Sequence, residues 1–228
     1  MSGTELPIVG IPAWKTSDSS IGCTIPYLAY ISYFGMPRII MPEEDVIEDL
    51  DLLVIPGGSD VDSLRYKAIP GYYNSKSDPM KEYFDTRILP SYIEAGVPVF
   101  GVCRGMQSIC VLMGATLIQN MSHETSIEKR SDLVHEIEIT DPVIRDIIKS
   151  KVRVNSMHHQ CVSNHNLPEC LEPIGIYKGR NTNRCIEVIR HRELPVYGVQ
   201  YHPEELIHDP LGDYIVELLI SKSKNYEK

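Results

Sequence analysis

The stretch that most restricts how this chain can fold is residues 97–107, VPVFGVCRGMQ. Its first half is a near-continuous apolar run of strand length, as suits a central parallel strand covered on both faces. The run passes through Gly101-x-Cys103-x-Gly105 directly into residues 105–115 (GMQSICVLMGA), which are apolar almost all round and suit a buried helix. A strand, a glycine-flanked cysteine and a helix make the cysteine form of the nucleophile elbow. The turn is so tight that only small residues fit two places before and after Cys103. Its sulfur is left at the sheet edge, beside the amino end of the following helix. Backbone N–H groups and the helix dipole there favour thiolate over thiol. At this composition G-x-C-x-G is expected by chance only about 0.03 times in the chain, so a buried structural cysteine is the weaker reading.

The rest of the chain supplies a sheet for that elbow. Residues 6–12, 38–41, 51–56, 134–139, 151–155, 173–177, 186–190 and 195–200 read as short strands. Residues 26–34 and 213–221 read as helices. Residues 78–95 read as an exposed helix that Pro90 kinks or divides. Strands alternating with helices predict an α/β sandwich with a largely parallel sheet, and the strand-rich second half predicts an antiparallel extension. A length of 228 residues fits one domain spanning 1–228. Such a domain buries roughly 70% of its unfolded surface and needs no disulfide or metal staple. The tail, residues 222–228, is expected to fray.

Charge and cysteine usage narrow the function. Lys and Arg number 22 against 31 Asp and Glu, a net charge of −9. That argues against a nucleic-acid partner, whose binding is driven by cations replacing counterions. It leaves open a small anionic substrate, which answers to its pocket's local field. The six cysteines show no CxxC and no repeated spacing, so neither zinc nor a disulfide framework is expected. Cys110, inside the apolar helix, reads as core. The amino terminus lacks a signal-peptide pattern, and no run approaches the ~18 apolar residues of a membrane span. The expectation is a reduced, cytoplasmic protein without cofactor, metal or membrane partner.

Acyl transfer through a thiolate needs donors for an oxyanion. The backbone N–H of Arg104 is available by construction. A second donor is expected from the loop of residues 56–60 (PGGSD), which ends a parallel strand beside the elbow, where Gly57 and Gly58 let a backbone N–H approach a ligand. A thiol also needs a base, and the base needs a partner to hold its tautomer. Residues 198–204 (GVQYHPE) offer both, with His202 as base and Glu204 turned back by Pro203 to orient it.

Together these pieces resemble the class I glutamine amidotransferase superfamily. They are closest to its free-standing γ-glutamyl hydrolases, the peptidase C26 group that includes γ-glutamyl-γ-aminobutyrate hydrolase. The likeness is carried in order by PGGSDVD at 56–62, GVCRGMQ at 101–107, VNSMHHQ at 154–160 and GVQYHPE at 198–204. The resemblance implies a flavodoxin-like three-layer sandwich and a γ-glutamyl thioester on Cys103. It also implies oxyanion donors at Gly58 and Arg104, a Gln107 that holds the glutamyl group beside Gly57, and a substrate pocket shaped by His158, His159 and Gln160. His158 is the preferred contact of that stretch, with a pair of surface histidines as the alternative. Two departures bear on specificity. The Asp-Gly pair that often precedes the family's strand Glu is missing from residues 179–187 (GRNTNRCIE), although Glu187 is kept. Met106 stands where ammonia-delivering members usually carry His, which favours the hydrolase branch.

The leading expectation is therefore a cysteine hydrolase that releases glutamate and an amine from a γ-glutamyl amide. The alternative is a glutaminase component delivering ammonia to a separate synthetase partner. A non-catalytic descendant is disfavoured by the intact Cys, His and Glu. Dienelactone-hydrolase-like enzymes usually place the acid before the histidine, and PfpI-like proteins lack the HPE. A homodimer is compatible with such a fold, without sequence support.

Overall fold

The computed structural model describes residues 6–17, 20–47, 49–121, 129–165, 167–178 and 184–223. Residues 179–183 of the departing stretch and 224–228 of the tail lie outside the described residues. In chain order the first strands are β1 (Ile8–Pro12), β2 (Trp14–Ser17), β3 (Ser20–Gly22), β4 (Met36–Ile40), β5 (Leu52–Ile55), β6 (Val99–Val102) and β7 (Leu117–Ile118). There follow β8 (His135–Ile139), β9 (Lys151–Val154), β10 (Cys161–Val162), β11 (Leu171–Lys178), β12 (Arg184–His191) and β13 (Val196–Val199). The helices are α1 (Ile25–Phe34), α2 (Pro79–Tyr83), α3 (Leu89–Glu94), α4 (Arg104–Leu112), α5 (Pro142–Ile147) and α6 (Pro210–Ser221).

Nine strands form one mixed sheet in the order β4-β1-β5-β6-β13-β12-β11-β8-β9. From β4 to β13 every pairing is parallel, and from β13 to β9 every pairing is antiparallel. The expected parallel sheet with an antiparallel extension is thus observed. Strand β5 shows why both faces are covered, since Leu52, Leu53, Val54 and Ile55 are all buried. Leu52 and Val54 pack with Tyr27 and Ile31 of α1 and Leu211, Ile215 and Leu219 of α6. Leu53 and Ile55 point the other way, into a cluster with Phe84, Leu89, Tyr92 and Ile109. This alternation follows from the two-residue period of a strand and gives three layers. Among the described residues no helix is long and apolar enough to cross a membrane.

The helix predicted over 78–95 is divided. Asp78 caps α2 through its carboxylate, Phe84–Ile88 is a π turn, and α3 resumes with Pro90 near its start. Proline has no N–H and its ring clashes with the carbonyl four residues back, so widening of the preceding turn accommodates it. Helix α4 starts at Arg104 and stops at Leu112, short of the sequence-based range, with Gly114 at a φ of 99° just beyond.

Candidate active site

Strands β6 and β13 lie side by side in parallel, with Gly101 opposite Gly198 and Val102 opposite Val199. Both therefore release their chains at the same edge of the sheet. Cys103 leaves β6 and His202 follows β13. Cys103 has φ 51° and ψ −109°, a conformation a non-glycine residue adopts only when its surroundings hold it there. Its N–H donates to the Val199 carbonyl at 2.7 Å, and its own carbonyl accepts the Gln107 N–H at 3.1 Å. The flanking glycines are required by contact. A Cβ on Gly105 would stand 2.1 Å from the Ile55 carbonyl oxygen, and one on Gly101 would stand 2.7 Å from the Met106 nitrogen.

His202 is clamped from two directions. Its Nδ1 bonds Glu204 Oε1 at 2.6 Å. Asn155 grips its backbone, accepting the His202 N–H at 2.8 Å and donating to the His202 carbonyl at 2.9 Å. With Nδ1 engaged, Nε2 is the nitrogen left for the sulfur. Burial alone would push the imidazole down. The Glu204 carboxylate and the adjoining Cys103 sulfur, which also hydrogen-bonds the ring, outweigh it and hold His202 up at about 10. Cys103, His202 and Glu204 are each less than a tenth exposed, so these charges act with little screening by water.

The loop after β5 faces the same point. A Cβ on Gly57 would meet His202 Cε1 at 2.9 Å and Cys103 Cβ at 3.5 Å. Gly57 N–H is already bound, donating to the Tyr27 hydroxyl at 2.8 Å. Gly57 carbonyl accepts from Lys81 Nζ at 2.6 Å. The next residue, Gly58, has its Cα against Lys81, where a Cβ would stand 2.7 Å from Lys81 Cε. Lys81 is buried over the Trp14 ring, 4.1 Å from its centroid. Burial, and then the charge of Arg104, push Lys81 down to about 7 against the opposing pull of Asp85, Asp78 and Cys103.

The remaining sequence-predicted residues separate into two groups. Gln107 is near the sulfur, donating through Nε2 to Gln200 Oε1 at 3.1 Å and to the Gln160 carbonyl at 3.0 Å. Gln200 Nε2 in turn reaches Cys103 Sγ at 3.5 Å. His159 faces the glycine loop through Asp60, 3.0 Å away, and Gln160 Nε2 donates to Asn74. His158 is turned inward, with Nδ1 on the Gln160 carbonyl at 2.9 Å and Nε2 3.7 Å from Glu187. The Arg104 side chain is wholly buried. It pairs with Asp85 at 2.5 Å and Glu82 at 2.6 Å, which anchors the first turn of α4 to the helix opposite.

Sequence reasoning does not single out Tyr27, Lys81, Asn155 or Gln200. Asn155 and Gln200 sit inside the motifs VNSMHHQ and GVQYHPE, so their positions are in view and only their hydrogen bonds are hidden. Tyr27 and Lys81 come from segments with no motif. Buried polar side chains in an otherwise apolar neighbourhood are their one sequence trace.

The peptidase C26 family matches residues 7–204. A glutamine amidotransferase-like protein of Lactococcus lactis, YvdE, is 29% identical over 162 residues, covering 68% of this chain and 66% of that protein. One component of the glutamine-hydrolysing GMP synthase of Pyrococcus furiosus is 31% identical over 155 residues, covering 66% of this chain and 74% of that protein. The PurLQS structure from Thermotoga maritima shares the fold at a TM-score of 0.63 and 16% identity, covering 98% of this chain and all of that one.

Proposed function

Since the chain belongs to the peptidase C26 family, we propose that it is a cysteine hydrolase that cleaves a γ-glutamyl amide bond. The observation carrying this reading is one buried sulfur on a strained turn beside an imidazole already bonded to a carboxylate.

In the proposed reaction the Cys103 thiolate attacks the γ-carbonyl carbon. A C–S bond forms and the carbonyl π pair moves onto oxygen. The backbone N–H groups of Gly58 and Arg104 receive that oxyanion, the second being one of the free amides at the start of a helix. As the oxyanion collapses, the C–N bond breaks and His202 gives its proton to the departing amine. Water then attacks the γ-glutamyl thioester, His202 takes a proton from it, and glutamate leaves with the thiolate restored. Glu204 keeps the proton of His202 on Nδ1 and steadies the imidazolium. Gln107 holds the glutamyl group beside Gly57, while His159 and Gln160 shape the approach and His158 backs the wall from within. The substrate is small, and the proposed setting is the cytoplasm.

Release of glutamate from glutamine and a panel of γ-glutamyl amides, read by mass spectrometry, tests the reading. At least one compound is expected to be cleaved by the purified chain. Cys103→Ala is expected to abolish turnover with an unchanged circular dichroism spectrum. Cleavage of none of them, or undiminished turnover in Cys103→Ala, ends the proposal.

The likeness to a glutamine-hydrolysing GMP synthase component from Pyrococcus furiosus favours a second reading, in which this chain hands ammonia to a synthetase. On that reading glutamate release from glutamine rises sharply when the partner is added.

A further inference from the structure

Gly57 is gripped at both ends. Its N–H donates to the Tyr27 hydroxyl of α1 at 2.8 Å, and its carbonyl accepts from Lys81 Nζ of α2 at 2.6 Å. Trp14 braces both partners, with its ring edge-on to Tyr27 and its face 4.1 Å from the Lys81 nitrogen. We propose that Lys81 is a positioning residue, which by holding the Gly57 carbonyl sets the tilt of the Gly57–Gly58 peptide and so aims the Gly58 N–H at the oxyanion. This role rests on the γ-glutamyl hydrolysis proposed above.

A peptide plane is rigid and trans, so its carbonyl and its N–H point in opposite directions. Whatever fixes the Gly57 oxygen therefore fixes the Gly58 hydrogen. A pair of glycines offers little torsional resistance of its own, and without a hold on the carbonyl the plane can turn over. Turned over, it would present an oxygen to the forming oxyanion in place of a donor. Among the described residues none accepts from the Gly58 N–H, which leaves that donor to a ligand.

Lys81 has a fixed reach. Asp78 accepts from its backbone N–H at 3.4 Å and from the Met80 N–H at 2.8 Å, which pins the first turn of α2. The stem lies so close on Gly58 that a Cβ there would stand 2.7 Å from Lys81 Cε and 3.0 Å from Cδ. Burying such a side chain forfeits much rotamer entropy, and Lys81 is only 7% exposed. A neutral amine still has hydrogens to donate, so the hold on Gly57 persists above the value of about 7 to which burial and then Arg104 lower this lysine.

The rival role for the same amine is charge support of the Cys103 thiolate. Lys81→Met in the full chain keeps the length of the side chain and removes the donor, and Lys81→Leu takes its place should the methionine variant not fold. With a cleaved γ-glutamyl amide, kcat is expected to fall about 10- to 100-fold at little changed KM, less than the ~10²–10³ of a deleted oxyanion donor. The matching thioamide separates oxyanion aim from general disturbance, because sulfur accepts hydrogen bonds only weakly. Its turnover is expected to fall far less, so the ratio of amide to thioamide turnover shrinks. Alkylation of Cys103 by iodoacetamide, read by peptide mass spectrometry, is expected to keep the parent's rate. Undiminished kcat in Lys81→Met, an equal fall for amide and thioamide, or alkylation slowed in step with kcat overturns this role while the hydrolysis stands. A parent chain that cleaves no γ-glutamyl amide overturns the hydrolysis and the role with it.

Discussion

Asn155 grips the main chain of His202 on both sides and touches neither ring nor sulfur. Asn155→Ala leaves a buried N–H and carbonyl with no partner at that point, a cost of about 1–3 kcal/mol. The expected outcome is a 10- to 100-fold fall in kcat with KM little changed, because the imidazole is displaced and the binding wall is not. Steady-state kinetics with any cleaved γ-glutamyl amide would check this. A second outcome follows from the proton on His202. The imidazole is raised from 6.5 to about 10, so the folded chain holds that proton more tightly than the unfolded one. The stabilisation is complete below about pH 6.5 and is lost as pH rises towards about 10. The kcat/KM profile is expected to fall on its alkaline side near the same value, where the leaving amine loses its proton donor. Glu204→Gln should move that limb to lower pH and reduce kcat by about 10²–10⁴-fold. The elbow cysteine and the His-x-Glu pair are readable from sequence because each is a local motif with a local cause. The grip of Asn155, the tether of Lys81 and the inward turn of His158 join segments that are mostly far apart, and spacing along the chain does not encode such bonds.

Arg104 ties α4 to the divided helix across from it. Its guanidinium sits between Asp85 and Glu82, and Arg65 and Ser108 close the network around Asp85. Arg104→Leu leaves a carboxylate that is 2% exposed with only Arg65 at 3.5 Å and the Ser108 hydroxyl, so the loss should stay below the about 3–5 kcal/mol of an unpaired buried charge. Urea titration of the variant should show that loss, together with reduced turnover if the first turn of α4 presents an oxyanion donor. At the start of α6, burial raises Asp209 to about 6, although it accepts from the Tyr201 hydroxyl and the Gly212 N–H. The folded chain therefore binds this proton more readily than the unfolded one, and stability falls as pH rises from about 4 to 6. Asp209→Asn keeps an equally good cap and carries no charge to bury. It is expected to flatten that pH dependence and to melt no lower than the parent at pH 7. The strands of the main sheet and the break at Pro90 are legible because apolar runs and proline chemistry are strong signals. The β2–β3 hairpin, the β7–β10 pair and α5 are not, because they lack the apolar run that marks the equally short β5 and β6.

The main sheet runs from edge strand β4 to edge strand β9, and the core lies on both of its faces. The one tryptophan, Trp14, belongs to the hairpin packed against α1 and Lys81. Its fluorescence and far-ultraviolet circular dichroism are expected to change together on unfolding, and separate midpoints would show that the hairpin region melts alone. The order of the sheet is out of reach of sequence reading, because β13 inserts beside β6 after four antiparallel strands have already been laid down. That insertion has an effect on the protein's birth. At about 5–20 residues per second of synthesis, the ribosome makes Cys103 about 5–20 s before His202. Until β13 slots in, the proposed base is absent from the side of the sulfur, so on the proposed mechanism turnover is expected only after that strand is in place.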